Sequence, residues 1–197
     1  MKDHIVVLSG AGMSAESGLS TFRDNGGLWE QHSVYDVATP EAFARNQELV
    51  LRFYNERRRQ LKSAQPNDAH RLLAELEQHY RVTIITQNVD NLHTEAGSKS
   101  LVEIHGNRTW LRCVGCGVRQ PRDVYHFDSL PPICTQCGGV IKMDTVMFGE
   151  PIPEDVLLAS REQAETCDCM LLVGTSGTVN PAARLPLVAK ELGATLI

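Results

Sequence analysis

Four cysteines carry the most specific spacing in the chain: Cys113-x-x-Cys116 and Cys134-x-x-Cys137, with 17 residues between the pairs. Each pair puts two thiolates on one turn, and two such knuckles close a tetrahedral Zn2+ site. Four protein ligands leave no open position for water, so the metal is expected to be structural. Its binding is expected to contribute on the order of 10 kcal/mol to folding a segment with little core of its own. Two disulfides or four unlinked thiols are the alternative, and the spacing weighs against both. Cys167 and Cys169, on opposite faces at a strand entrance, read as ordinary core or edge residues. A second signal is Gly10-Ala11-Gly12-Met13-Ser14-Ala15, directly after the first apolar run. It fits the Gly-x-Gly-x-x-Gly/Ala dinucleotide pattern, where missing Cβ atoms let the backbone approach a pyrophosphate at a helix N-terminus. Alone it is weak, because a tight turn after a strand also needs glycine. A dehydrogenase would soon show a second strand ending in an acid; here the loop runs on from Ser17 to Trp29, which counts against hydride transfer. Gln87-Asn88-Val89-Asp90, His105-Gly106 and Gly174-Thr175-Ser176 follow apolar runs, where a doubly wound sheet places its ligands. Singly, the Asn and Asp are turn formers and His105 a satisfied core histidine. Grouped around a dinucleotide loop, they read as a site.

These residues need a scaffold, and the hydrophobic pattern supplies one. His4 to Ser9 is a short buried strand. From Pro40 to about Ala64, Leu49, Val50, Phe53, Tyr54, Arg57 and Leu61 recur at helical spacing. A second helix starts at Asn67-Asp68 with Leu72, Leu73 and Leu76 as its apolar face. Strands are expected at Val82–Thr86, Leu101–Ile104 and Met170–Val173, and helices near Glu154–Ala164 and Ala182–Leu192. Ala194–Ile197 begins one more strand. The alternation predicts an α/β fold, a Rossmann-like doubly wound parallel sheet formed by residues 1–109 and 143–197, with a small zinc-binding insert at 110–142.

Composition excludes several classes. At 197 residues, 42% hydrophobic, the chain is neither disordered nor, without an apolar run of about 20 residues, a membrane protein. Met1-Lys2-Asp3-His4 leads straight into a strand with no signal-peptide core, and the bunched cysteines read as a metal site in a reducing compartment, so a cytoplasmic location with no membrane partner is expected, and separately a monomer. A net charge of −5 argues against a nucleic-acid partner. Between Cys113 and Cys137 only Arg119 and Arg122 are basic, against Asp123 and Asp128, so a nucleic-acid zinc ribbon ranks low.

Taken in order, the motifs resemble those of the sirtuins, the NAD-dependent protein-lysine deacylases. The resemblance covers nearly the whole chain. It rests on Gly10-Ala11-Gly12-x-Ser14-x-x-Ser17-Gly18 with Phe22-Arg23, on Gln87-Asn88-x-Asp90-Asn91-Leu92-His93, and on His105-Gly106. The four cysteines and Phe148-Gly149-Glu150 with Gly174-Thr175-Ser176 complete it. The resemblance implies NAD as co-substrate, held by Gly10, Ala11, Gly12, Ser14, Ala15, Phe22, Arg23 and Trp29, with Gln87, Val89, Gly174, Thr175 and Ser176 as further contacts. It implies that Asn88 and Asp90 line the nicotinamide pocket, Asn88 with a part in catalysis, and that His105 is the general base. Val146, Phe148, Gly149 and Glu150 would form an edge that pairs with acyl-lysine protein or peptide substrates by strand addition. One structural Zn2+ completes the set, and the products would be free lysine, nicotinamide and O-acyl-ADP-ribose.

Phe53-Tyr54-x-x-Arg57 resembles the motif of the class III sirtuins, and Ala38 their small residue that widens the acyl pocket. Residues 40–64 would then be the helical segment of the acyl-lysine pocket. Tyr54 and Arg57 share one helical face at i and i+3, and together they would grip a succinyl or malonyl carboxylate, with acetyl also accepted. The plain alternative is a packing Tyr and a solvated Arg, as expected for Arg58 and Arg59. Ser9 stands where the family usually has Thr and Ser20 where many members have Pro. The family's later Asn-bearing loop and final helix, which hold the adenosine half of NAD in its members, are not among residues 1–197. Two other functions stand beside deacylation: protein mono-ADP-ribosylation on the same scaffold, and a non-catalytic zinc-bearing binding module.

Overall fold

The computed structural model of the protein describes residues 3–21, the backbone of 28–29, 32–121 and 130–197. Phe22, Arg23 and the side chain of Trp29 lie outside the described residues. The chain opens with β1 (His4–Ser9), a 3-10 turn (Ala11–Ser17), β2 (Leu28–Trp29) and β3 (His32–Ser33). Next come α1 (Val34–Val37), α2 (Pro40–Arg45), α3 (Gln47–Ser63), α4 (Asp68–Leu76), β4 (Arg81–Thr86) and α5 (Leu92–Glu95). β5 (Leu101–Glu103), β6 (Gly106–Cys113), β7 (Arg119–Pro121) and β8 (Ile141–Thr145) follow. The last third holds α6 (Glu154–Thr166), β9 (Cys169–Val173), a 3-10 turn (Ala182–Arg184), α7 (Leu185–Glu191) and β10 (Thr195–Leu196). Contacts divide these elements into two units. One holds the described residues up to Thr21, with Ala64–His105 and Ile152–Ile197; the other holds the described residues between Thr21 and Ala64, with Gly106–Pro151.

The first unit is a five-stranded parallel sheet in the order β10-β9-β1-β4-β5. Counted by appearance within the sheet and read from β5, that is 3-2-1-4-5, the doubly wound order. β1 lies at the centre, with Ile5 opposite Val82 on one side and Cys169 on the other. Alternation sends Val6 and Leu8 to a core shared with Ile85, Ile104, Ala164, Met170, Leu185 and Ala189. Val7 faces the opposite core with Met13, Leu73, Val82 and Ile84. Both faces are therefore covered, which is why the strands read as continuous apolar runs. α4 begins in a capping box between Asn67 and His70. Its apolar face differs from the expected one. Leu72 is 62% exposed, and Ala69, Leu73 and Leu76, at i, i+4 and i+7, meet the core instead.

In the second unit the helix expected over 40–64 is two helices. Thr39 caps α2 at the Ala42 N–H (3.1 Å), with Pro40 in the first turn. Asn46 then interrupts the helix, and its side chain accepts the Leu49 N–H of α3 (3.0 Å). The three-stranded antiparallel sheet β7-β6-β8 starts at Gly106, directly after His105, and so extends beyond 110–142 on both sides. Arg58 corrects the expectation of a solvated side chain: it is 1% exposed, and its Nε donates to the Arg108 carbonyl on β6 (2.9 Å). Arg59 is solvated, in an exposed pair with Glu56.

Candidate active site and metal centre

In the parallel unit, strand order reverses between β1 and β9, and such a switch point opens a crevice at the carboxyl ends of the strands. The loops leaving these two strands interlock. The Gly10 N–H donates to the Val173 carbonyl (3.0 Å) and the Gly12 N–H to the Gly174 carbonyl (2.9 Å). A Cβ on Gly10 would stand 2.9 Å from the Gly174 oxygen, and one on Gly174 would overlap the Met13 N–H. The room left by these missing Cβ atoms is taken by the neighbouring loop, which corrects the reading that reserved it for a pyrophosphate.

A polar cluster is built on this junction. The Ser14 hydroxyl donates to Asp90 Oδ2 (2.6 Å), and Asn88 Nδ2 donates to the Gly10 carbonyl (3.0 Å) and to Ser14 Oγ (3.1 Å). Asp90 is 4% exposed, and its other oxygen caps α5 at the Leu92 N–H (3.0 Å). Gln87 Nε2 reaches Thr175 Oγ1 (2.7 Å), tying the β4 loop to the β9 loop. His105 joins through its Nδ1, 3.1 Å from the Gln87 carbonyl. A carbonyl only accepts, so Nδ1 carries the proton and Nε2 is left as the acceptor. Burial pulls His105 below the usual 6.5, against the smaller opposing effect of that bond, so the ring is neutral at pH 7. Nine of the expected residues thus meet: Gly10, Gly12, Ser14, Gln87, Asn88, Asp90, His105, Gly174 and Thr175. Ala11 and Val89 flank them half-buried, Ala15 is exposed, and Ser176 turns to Thr178 Oγ1 (2.7 Å).

Sequence reasoning missed the layer beneath. Ser9 Oγ and His93 Nε2 are 2.9 Å apart, and the His93 ring packs edge-on to His70 at 4.8 Å. Asn67, the α4 cap, also donates to the Met13 carbonyl (2.8 Å) and to Ser17 (3.1 Å), so it anchors the turn that carries Ser14. Burial, with the neighbouring His70 adding to it, pulls His93 down to about 4. His93 lies in the quoted motif and Asn67 at a legible cap, but nothing in their spacing shows that they share one buried layer.

In the second unit, Tyr54 and Arg57 are 6% and 7% exposed on α3, and Arg57 Nη1 donates to Gln60 Oε1 (3.0 Å). This is not the solvated arginine of the plain alternative. Burial pushes the Tyr54 hydroxyl far above its usual 10, against a weaker opposing bond to Thr145, so it stays a donor. Ala38 is buried, and its carbonyl accepts the Phe148 N–H (2.8 Å). Residues Val146 to Glu150 form a turn rather than the expected edge strand. The N–H groups of Met147, Phe148 and Glu150 are committed to Glu150 Oε2, Ala38 and Met147 respectively. The Glu150 side chain is committed to Arg112 and Lys142. Beside this turn, Tyr35, Thr39, Glu41, Arg45, Phe148 and Gly149 line a cavity of about 480 Å³.

The four zinc-spaced cysteines converge. All four sulfurs lie within 4.8 Å of one another, with Cys113 to Cys137 at 3.5 Å and Cys116 to Cys134 at 3.9 Å. Four Zn–S bonds of about 2.3 Å in a tetrahedron demand about 3.8 Å between sulfurs. The N–H groups of Gly115 and Gly139 point at Cys113 (3.3 Å) and Cys137 (3.4 Å), the bonds of a metal knuckle. All the cysteines are free thiols. Cys113 falls to about 6, chiefly through the Cys116 backbone bond; at Cys137 the Gly139 N–H has the largest single effect, a lowering, and the other three sulfurs and burial together outweigh it and push the thiol up to about 12. The chelate is positioned for one metal ion, with Cys113 and Cys134 packed on Leu111 and Ile141. Cys167 caps α6 in the parallel core, as expected of a bystander. No helix among the described residues is long and apolar enough to cross a membrane.

A model of the Sir2 family matches residues 10–181. The chain is 48% identical over 199 residues to NAD-dependent protein deacylase 2 of Pyrobaculum aerophilum, covering 98% of this chain and 78% of the relative. It is 46% identical over 195 residues to an NAD-dependent protein deacylase of Aquifex aeolicus, covering 98% and 82%. Among solved structures, a Sir2 homologue–NAD complex is similar over 100% of this chain and 77% of its own, at TM-score 0.93 and 39% identity. A mutant Sir2 homologue bound to ADP ribose is similar at TM-score 0.94 and 39% identity, covering 100% and 79%.

Proposed function

The chain belongs to the Sir2 family, and from that premise we propose that it is an NAD-dependent protein-lysine deacylase that accepts succinyl-, malonyl- and acetyl-lysine. The observation that carries this reading is the junction of Ser14, Asn88, Asp90 and His105 at the strand ends beside the switch point. NAD, when bound there, supplies a ribose carbon that can accept the acyl oxygen as nicotinamide leaves. Asn88 and Asp90 meet the carboxamide end. Their positions are fixed by bonds to Gly10, Ser14 and Leu92, so little ordering remains at the moment of reaction. His105 Nε2, neutral at pH 7, takes the proton of a ribose hydroxyl, and the Gln87 carbonyl stabilises the imidazolium through Nδ1.

In our reading the antiparallel unit supplies the acyl-chain grip. Arg57 donates to a terminal carboxylate and Tyr54 adds a third bond beside the small Ala38. Each charge-assisted bond is worth about 1.5–3 kcal/mol, or roughly one to two decades of discrimination. Nicotinamide release is measured with matched acetyl- and succinyl-lysine peptides, with products identified by mass spectrometry. Free lysine and acyl-ADP-ribose are expected, with no turnover in His105→Ala. ADP-ribosylated protein with intact acyl-lysine would refute deacylation. Arg57→Met should lower succinyl turnover roughly 10- to 100-fold and acetyl turnover less than threefold; equal losses would remove the acyl assignment.

A further inference from the structure

Glu150, expected to touch substrate, is the centre of a half-buried clamp. Arg112 of β6 and Lys142 of β8 are cross-strand partners. Arg112 Nη2 donates to Glu150 Oε1 (2.7 Å), while Lys142 Nζ (3.2 Å) and the Met147 N–H (2.9 Å) both reach Oε2. Lys142 is 4% exposed and also donates to the Thr145 carbonyl (2.7 Å). Asp144 completes the charge pattern by pairing with Arg112 (3.4 Å) and Arg119 (2.5 Å). The Glu150 N–H returns to the Met147 carbonyl (2.9 Å), so residues 147 and 150 are joined twice. The opposite side of the turn is held by Ala38 at the Phe148 N–H, and the Phe148 side chain stays 42% exposed. The turn has no regular strand pairing of its own, and within it Met147 is buried at 4% exposure.

We propose that Glu150 is a positioning residue for peptide binding. The Arg112–Lys142 pair fixes its carboxylate, the carboxylate fixes the Met147 N–H, and this sets where Val146 and Phe148 meet the acyl-lysine segment of a protein substrate. The proposal rests on the deacylase reading only for its kinetic arm.

The test follows amide hydrogen exchange across Met147–Glu150 together with KM for an acyl-lysine peptide and for NAD. In Glu150→Gln one oxygen still accepts from Met147 and Lys142, so exchange and peptide KM should stay within about threefold of wild type. In Glu150→Ala those bonds are lost. Exchange at Met147 should quicken roughly 10- to 100-fold and peptide KM rise about tenfold, with kcat and the KM for NAD within about twofold. Where the alanine variant leaves Lys142 buried without its carboxylate and unfolds, Lys142→Met/Glu150→Leu removes cation and anion together and must show the same split. Unchanged exchange at Met147, or a fall in kcat alongside the rise in peptide KM, overturns the proposal. A wild-type protein without deacylase activity would refute the functional reading, and the exchange arm alone would then decide the clamp.

Discussion

Substituting alanine at Gly174 and at Gly177 separates two costs that fall on different atoms. Gly174 has φ +61 and Gly177 φ +63, so a side chain at either costs about 1–2 kcal/mol for the left-handed backbone. Only at 174 does the new Cβ meet another segment: it would overlap the Met13 N–H and press on Gly12, whereas nothing lies within 4 Å at 177. Forcing a methyl against packed backbone adds about 1–3 kcal/mol. Gly174→Ala should therefore lose about 2–5 kcal/mol and Gly177→Ala about 1–2 kcal/mol. Urea unfolding at pH 7 reads this as a larger drop in midpoint at 174, with the slope unchanged in both. Met13 adjoins Ser14, so the overlap should also loosen the Ser14–Asp90 bond and lower kcat/KM for NAD in Gly174→Ala. Equal midpoints for the two variants would show that the loops do not interlock as described.

The protein should carry one zinc per chain by elemental analysis. Cys134→Ser or a strong chelator should unfold the antiparallel sheet, since metal binding is worth on the order of 10 kcal/mol to such modules; a metal-free protein with an unshifted urea midpoint would contradict this. Stability should fall as pH drops from 6.5 toward 4. His93 takes its proton near 4 in the fold and near 6.5 when unfolded, so the unfolded chain binds more protons across that window. The loss is on the order of 3 kcal/mol, and His93→Gln should flatten the pH dependence of the midpoint. The acid limb of kcat/KM should lie below 6.5, because burial lowers His105 and its neutral form is the base; a limb at or above 6.5 would exclude His105 from that role.

Much of the parallel unit was legible. β-Branched runs such as Ile5 to Leu8 and Val82 to Ile85 give buried strands wherever they stand, and Asn67 caps a helix by local chemistry alone. The four cysteines were legible because chelation imposes a spacing that few other needs impose. Contacts between distant segments were not. Arg58 looks like any surface arginine until the Arg108 carbonyl is brought to it. Leu72 and Leu73 are the same residue type about 100° apart on α4, and the rotation of the helix that turns Ala69, Leu73 and Leu76 to the core leaves Leu72 outside. Asn46 breaks a helix that the apolar spacing carries straight through, because its side chain serves the next N-terminus better than the helix interior. The turn at Val146–Glu150 could not be told from a strand, since the carboxylate that closes it is oriented by residues from two other strands.

The central place of β1 has a consequence for how the molecule is made. Its two sheet neighbours are β4 and β9, both later in the sequence, so β1 waits first for one partner and then for the other. The Gly10–Gly12 loop acquires its hydrogen-bonded mate at Val173 and Gly174 only after more than 160 further residues have been added. Such long-range pairing slows folding and leaves an unpaired apolar strand exposed meanwhile. The crevice between the β1 and β9 loops should therefore be among the last features to form.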